Sequence, residues 1–204
     1  MKLCVFCGTF NPIHNVHLAM ANYVRNHFNF DMILFIPAYK PPHKQIDDEL
    51  ANHRYNMVKL AISGESKFNI SNIEFRHEKY SYTVNTIKEL YNMYPNIEGK
   101  ISFIIGTDAF LKIEDWHQAN VLKTLVKFLV FPREEKFNPK QGRIERLREN
   151  GYEFDIVNMP FINLSSTVLR SRIRNEKSIG SLIPESVHNY IEKNGLYVSD
   201  ENSL

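Results

Sequence analysis

The chain of 204 residues is poor in several things at once. Its two cysteines, Cys4 and Cys7, cannot build a disulfide framework, so the expected setting is the reducing cytoplasm. It has no excess of one charge. Twenty-five Lys and Arg face 23 Asp and Glu, a net +2 that is too balanced to hold nucleic acid by bulk charge, and no stretch interleaves aromatic with basic residues. No apolar run approaches the roughly 20 residues of a membrane span, so no membrane partner is expected. The opening apolar stretch is interrupted too soon, by Gly8, Asn11 and Pro12, to serve as a signal peptide. Low-complexity tracts, Gly/Ser linkers and internal repeats are also missing. What is present, 43% hydrophobic, 24% charged and 12% aromatic residues, is the make-up of an ordinary soluble globular protein long enough to bury a substantial core.

Short apolar runs alternate with longer helical patterns. The runs are Leu3-Cys4-Val5-Phe6, Ile33-Leu34-Phe35-Ile36, Ile101 to Ile105, Val126 to Phe131 and Phe154 to Val157. They are β-branched or aromatic and mostly unbroken, as strands covered on both faces read, which points to a parallel sheet. A weaker strand is expected within Phe68 to Arg76. Met20, Val24 and Phe28 recur four apart with Ala21 beside them, and Val84, Ile87, Leu90, Tyr91 and Tyr94 make a second helical stripe. Helices are also expected around Glu49 to Ser63 and Gln141 to Asn150, and Pro184 can open a last one that Asn194-Gly195 closes. Alternating strands and helices make an α/β sheet, and one domain accounts for the whole chain.

Ligands of open α/β sheets bind outside the carboxyl ends of the strands, so polar clusters that matter should follow the apolar runs. They do: Gly8 to His17 after the first, Pro37 to Lys44 after the second, Gly106-Thr107-Asp108, Pro132-Arg133, and Asn163 to Thr167 shortly after the last. In the first cluster Gly8 and the Asn11-Pro12 pair give a tight turn, and His14 and His17 sit three apart near a helix start. Imidazole N–H groups beside helix-terminal amides suit a phosphate chain that gains charge in a transition state. A zinc pair is the competing chemistry, but no third ligand has suggestive spacing nearby. A solvated turn with two surface histidines is the blander one. Ser165-Ser166-Thr167 forms a second helix start, with Arg170, Arg172 and Arg174 inside; in isolation it reads as an ordinary capped surface helix. Lys40, His43 and Lys44 put positive charge on a loop stiffened by Pro41-Pro42. Asp108 either holds a ribose hydroxyl or a metal-bound water, or caps the following helix. Trp116, the single tryptophan, next to His117, is a base-stacking platform or a core residue. Cys4 and Cys7 point to opposite faces of the first strand and read as packing.

Together these residues resemble the bacterial nicotinate-nucleotide adenylyltransferases, within the nucleotidyltransferase superfamily marked by a T/HxGH motif. The family start, written GGTFDPIHxGH, stands here as Cys7-Gly8-Thr9-Phe10-Asn11-Pro12-Ile13-His14-Asn15-Val16-His17. The proline-rich loop is Pro41 to Lys44, the SYT segment Ser81-Tyr82-Thr83, the IIGxD segment Ile104 to Asp108, and Trp116 follows. The ISSTxxR motif reads Leu164 to Arg170, and the closing helix runs from Ile183-Pro184 to Leu196-Tyr197. The likeness covers Lys2 to about Tyr197. Three positions depart from it. Asn11 replaces the commoner Asp, Cys7 replaces a glycine and is tolerable if extended, and Val16 replaces the motif's glycine. A β-branched residue disfavours φ > 0, so Val16 is expected in ordinary helical geometry.

The resemblance implies a Rossmann-like, doubly wound, mostly parallel sheet of about six strands with helices on both faces, residues 161–204 being a helical part that contributes to the ATP site. It implies an enzyme of NAD biosynthesis joining ATP and nicotinate mononucleotide into deamido-NAD and pyrophosphate. His14 and His17 would be catalytic on the ATP phosphates. Ser165, Ser166, Thr167 and Arg170 would hold the β- and γ-phosphates, aided by Arg133 and by Lys44, which also counts with the mononucleotide site. Gly8, Thr9 and Phe10 would line the pocket by backbone, and Gly106 and Asp108 would meet nucleotide sugar or base. Tyr82, Thr83, Trp116 and His117 would form the pyridine pocket. Mg²⁺ is expected on the triphosphate with few protein ligands. A related acceptor such as nicotinamide mononucleotide or phosphopantetheine, or a nucleotide sensor without turnover, are the alternatives; the SYT segment and Trp116 argue against phosphopantetheine. Homo-oligomerisation stays open.

Overall fold

The computed structural model describes residues 1–42, 48–76, 80–133 and 142–198. Six strands, β1 (Leu3–Gly8), β2 (Met32–Pro37), β3 (Phe68–Ile70), β4 (Ile101–Gly106), β5 (Val126–Phe131) and β6 (Phe154–Ile156), form one sheet in the order β3-β2-β1-β4-β5-β6. Every pairing is parallel. The helices are α1 (Asn15–His27), α2 (Asp48–Ala61), α3 (Thr83–Met93), α4 (Thr107–Phe110), α5 (Ala119–Leu125), α6 (Gly142–Glu149), α7 (Ser166–Arg174) and α8 (Glu185–Lys193). This is a Rossmann-like α/β architecture.

Strand periodicity explains the two cores. Cys4, Phe6, Ile33, Phe35, Ile104 and Leu129 face a layer made by α1, α2, α7 and α8. Their neighbours Leu3, Val5, Leu34, Ile36, Phe103 and Val130 face the opposite layer of α3 to α6. Because both faces are covered, the strands are apolar at successive positions and not at alternate ones. Each buried Val, Leu, Ile or Phe side chain contributes roughly 1.5–3 kcal/mol, so the central strands dominate stability. Cys4 and Cys7 lie on opposite faces as expected, and both are free thiols. No helix among the described residues is long and apolar enough to cross a membrane.

The weak strand is shorter than Phe68 to Arg76. Only Phe68–Ile70 pairs with β2, and Ile73–Arg76 forms a 3₁₀ turn. Ser71 Oγ accepts the Ile73 N–H at 3.2 Å and the Asn72 carbonyl accepts from Phe75 at 2.9 Å. The Ser71 N–H still reaches the Phe35 carbonyl at 2.9 Å, and the serine hydroxyl then turns the chain out of the ladder. At the other end of the chain, α8 follows Pro184 and closes at Asn194 and Gly195, where Gly195 has φ 59° and Leu196 N–H reaches the Ile191 carbonyl. The strand order places β1 and β4 side by side while the chain winds outward from them in both directions. Loops leaving their carboxyl ends diverge, and a crevice opens between them.

Candidate active site

A cleft of about 1260 Å³ occupies that crevice. Its shape begins with glycines where backbone must pass close. A Cβ on Gly8 would stand 2.9 Å from the Phe10 ring, and one on Gly106 would stand 2.6 Å from Asp108 Oδ1 and 2.7 Å from Arg133 Nε. Phe10 itself takes φ 48°, which folds its ring back over Gly8 into the core, and the Asn11–Pro12 peptide is cis. The loop after β5 is tied to the loop after β4 by the Arg133 N–H, which donates to Thr107 Oγ1 at 3.0 Å.

His14 is the N-cap of α1 and His17 lies one turn inside it. Neither is a surface histidine: they are 1% and 9% exposed. Their rings stack with centroids 3.7 Å apart, and the Phe6 and Phe10 rings stand edge-on to His17. Burial, reinforced by the Arg133 charge, pushes His14 down to about 3 from an ordinary value of 6.5. His17 is lowered well below its ordinary value by burial first, then by His14 and Arg133. Both rings are therefore neutral at physiological pH. The His14 backbone N–H donates to His17 Nδ1 at 3.2 Å, so the His17 proton sits on Nε2 and that edge is a hydrogen-bond donor.

The first turn of α7 closes the cleft from the opposite side. Ser165 caps it, its Oγ accepting from Val168 N–H at 3.3 Å, and the first-turn amides at Ser166 and Thr167 lack intrahelical acceptors. Ser166 Oγ donates to the Pro12 carbonyl at 2.9 Å, and Arg170 Nη1 donates to the Asn11 carbonyl at 2.9 Å. His14 Nδ1, Arg133 Nε and Arg170 Nε are buried with no hydrogen-bond partner among the described residues. Buried polar atoms are normally satisfied. Glu74 Oε2, on another residue lining the cleft, is a fourth such atom, and of the four the two arginine nitrogens, beside two helix N-termini, suit an anion.

Most of the residues singled out from the sequence gather here, while Lys40, Arg172 and Arg174 do not line the cleft. Gly8, Thr9, Phe10, His14, His17, Gly106, Asp108, Arg133, Ser165, Ser166, Thr167 and Arg170 line the cleft at the phosphate-receptive end and its rims. Tyr82, Thr83, Trp116 and His117 line it too. The Tyr82 and His117 rings lie 4.2 Å apart, and Trp116 meets Phe103 edge-on at 6.2 Å. Lys44 and His43 lie outside the described residues. Asp108 is 70% exposed at the mouth, 3.8 Å from Arg133. Val16 is helical and buried in the core with Met20, the ordinary helical geometry expected of it. Cys7 is extended within β1 and lines the cleft besides packing.

Sequence reasoning missed the polar support beneath the site. Arg54 of α2 is fully buried and donates to the carbonyls of Thr9 (2.8 Å), Ala38 (2.6 Å) and Tyr39 (3.1 Å), tying together the loops after β1 and β2. Burial lowers it to about 10, against the opposing influence of Tyr197 and Glu74. Glu74, 6% exposed, accepts from Thr86 Oγ1 at 2.8 Å, and burial raises its pKa against hydrogen bonds from Ser81 and Thr86. The signal for Arg54 is present: it interrupts the stripe Leu50, Ala51, Met57, Val58 at a core-facing position. A charge on an apolar stripe demands partners. No group of three or more His, Cys, Asp or Glu side chains among the described residues could hold a metal ion.

Residues 5–172 match the cytidylyltransferase-like family model, which sets the class. Over nearly its full length the chain also resembles individual members. It is 38% identical to a Caldicellulosiruptor saccharolyticus protein named "Probable nicotinate-nucleotide adenylyltransferase", covering 97% of this chain and 99% of that one. It is 39% identical to a Clostridium tetani protein of the same name, covering 96% and 98%. The chain belongs to the nicotinate-nucleotide adenylyltransferase family. Its fold matches that of the Plasmodium falciparum nicotinic acid mononucleotide adenylyltransferase complexed with NaAD, with TM-score 0.79, 22% identity, and 96% and 97% of the two chains covered.

Proposed function

We propose that the cleft joins ATP to nicotinate mononucleotide, giving deamido-NAD and pyrophosphate. The observation that carries this reading is the neutral histidine pair set beside Arg133 and Arg170, whose buried Nε atoms lack hydrogen-bond partners among the described residues, at the sheet's switch point, in a chain of this family. The mononucleotide phosphate is already largely ionised near neutral pH, its second pKa being roughly 6, so its oxygen attacks the α-phosphorus without a general base. One P–O bond forms there, the α–β bridging bond breaks in line, and pyrophosphate leaves with the electron pair. Catalysis is then positioning and charge stabilisation.

His17, donating from Nε2, and His14 face the α- and β-phosphates. The start of α7, with Ser165, Ser166, Thr167, Arg170 and also Arg133, receives the β- and γ-phosphates. Gly8 and Thr9 offer backbone, Gly106 and Asp108 meet the nucleotide sugar, and Trp116 stacks on the pyridine with Tyr82, Thr83 and His117 around it. Mg²⁺ on the triphosphate supplies charge neutralisation. With no protein cage among the described residues, phosphate oxygens and water would be its main ligands, as suits an ion that dehydrates reluctantly. Residues 1–204 act as one domain whose part from about 161 onward completes the ATP site, in a reducing cytoplasm that keeps Cys4 and Cys7 free.

The test is magnesium-dependent pyrophosphate release from ATP, run in parallel with nicotinate and nicotinamide mononucleotides. Strong preference for the acid is expected. Preference for the amide would overturn the assigned specificity while keeping the chemistry, and silence with both in folded protein would overturn the reaction.

A further inference from the structure

The loop from Thr9 to His14, which delivers the first histidine, is gripped from the far end of the chain. Ser166 and Arg170 hold its carbonyls at Pro12 and Asn11, and the Leu182 carbonyl accepts the Asn15 N–H at 3.0 Å. One grip differs in kind. The Tyr197 hydroxyl donates to Asn11 Oδ1 at 2.6 Å, a buried side-chain pair 186 residues apart in sequence. We propose that Tyr197 is a positioning residue, whose hydroxyl locks Asn11 and thereby holds the His14 loop in the shape that receives the triphosphate.

Packing alone does not account for that hydroxyl. The Tyr197 ring is fully buried in the core, where phenylalanine would fill the same space without a polar atom to desolvate. Asn11 is 6% exposed and lines the cleft, so its orientation bears directly on the ligand. Tyr197 also takes φ 68° at the end of the turn that closes α8, a backbone state that aims the ring inward. Arg54 and Arg170 bring their charges to bear on the hydroxyl, and the same two guanidinium groups hold the Thr9 and Asn11 carbonyls. The pair thus sits at the centre of a buried polar knot under the loop. It also gives a role to the departure at residue 11: a neutral amide oxygen accepts the phenol's hydrogen bond without adding negative charge beside the phosphates.

This rests on the reading of the cleft as the ATP site, so the test uses both ATP binding and turnover. Tyr197→Phe, Asn11→Ala and the double variant are compared with wild type for ATP Kd by calorimetry and for kcat of pyrophosphate release. Tyr197→Phe should lose about 10- to 100-fold in kcat, weaken ATP binding several-fold, and leave a folded protein by circular dichroism. The decisive result is coupling: the double variant should be no worse than Asn11→Ala alone. Independent, multiplying losses would overturn the proposal, as would wild-type kcat and Kd in Tyr197→Phe. Should that variant not fold, Asn11→Ala breaks the same bond from the other side, and wild-type behaviour there also overturns it. A wild type that binds ATP without turning over any mononucleotide refutes the assigned reaction, while the cycle in Kd still decides the role of Tyr197.

Discussion

Acid should weaken this protein through His14 in a way that can be isolated. In the unfolded chain the imidazole titrates near 6.5, whereas burial and the Arg133 charge hold it at about 3 in the folded state. Between those values the unfolded chain binds more protons, so stability is full above the unfolded pKa and is lost as pH falls toward the folded one. At pH 5 the unfolded state gains RT ln(1 + 10^1.5), about 2 kcal/mol, and almost none of this is returned by the folded state. The size is insensitive to the folded value: moving it up by about a unit changes the result by less than about 0.1 kcal/mol. The assay is urea unfolding of wild type and His14→Gln at about pH 7.5 and pH 5, read as the change in stability between the two conditions. Wild type should lose about 2 kcal/mol more than the variant on acidification. Glu74 shifts in the opposite direction and is common to both proteins, while His17 shifts in the same direction mainly by burial, which the variant keeps, and loses only the smaller influence of His14. Equal losses would mean that His14 is already solvated or protonated in the fold, and the neutral stacked pair would have to be abandoned.

Two further substitutions separate site from scaffold. Trp116→Ala should raise KM for the mononucleotide by about 10- to 100-fold, the worth of one ring-stacking contact, with KM for ATP nearly unchanged; lower thermal stability with normal KM values would instead make Trp116 a core residue of the Phe103 cluster. Val16→Gly removes a buried side chain and puts glycine into α1, so stability should fall by about 2–4 kcal/mol in urea while kcat changes less than about threefold. A kcat that rises tenfold would show that Val16 obstructs the site.

Where the chain was legible, burial made it so. β1, β2, β4 and β5 are inner strands between two helical layers, and their apolar runs stand out because nearly every position is covered, whereas β6, a three-residue edge strand, is marked by Phe154, Ile156 and the following Val157. β3 falls within the expected Phe68 to Arg76, but it is an edge strand of three residues with Asn69 exposed, too short for periodicity to mark its bounds. α5 escapes for a similar reason, seven residues entered through Gln118 at φ 51°. Polar clusters located the cleft because loops at strand ends are free to carry chemistry. The partners of the support beneath them were illegible, although Arg54 itself stands out as a charge on an apolar stripe. Arg54 acts on three backbone carbonyls, which carry no side-chain code, and Tyr197 meets Asn11 across 186 residues. His14 and His17 read from the sequence as either surface or site residues; in the fold both are buried, His17 against the Phe6 and Phe10 rings and His14 stacked on His17.

The three departures from the family pattern become intelligible once each position is asked what its geometry demands. Residue 7 pairs with Ile36 inside β1, an extended conformation open to any side chain, and cysteine serves there. Residue 16 sits in the first turn of α1 with its side chain turned into the core, so a β-branched residue fits where glycine is usual. Residue 11 needs an acceptor for the Tyr197 hydroxyl, which an amide supplies as well as a carboxylate. Gly8 and Gly106 are different. A Cβ at either would press within 3 Å of the Phe10 ring or of Asp108 and Arg133, groups that shape the cleft. Those two glycines are kept. The motif therefore encodes a few close approaches, two imidazoles and an acceptor at residue 11, and where none of these is at stake the residue type is free to change.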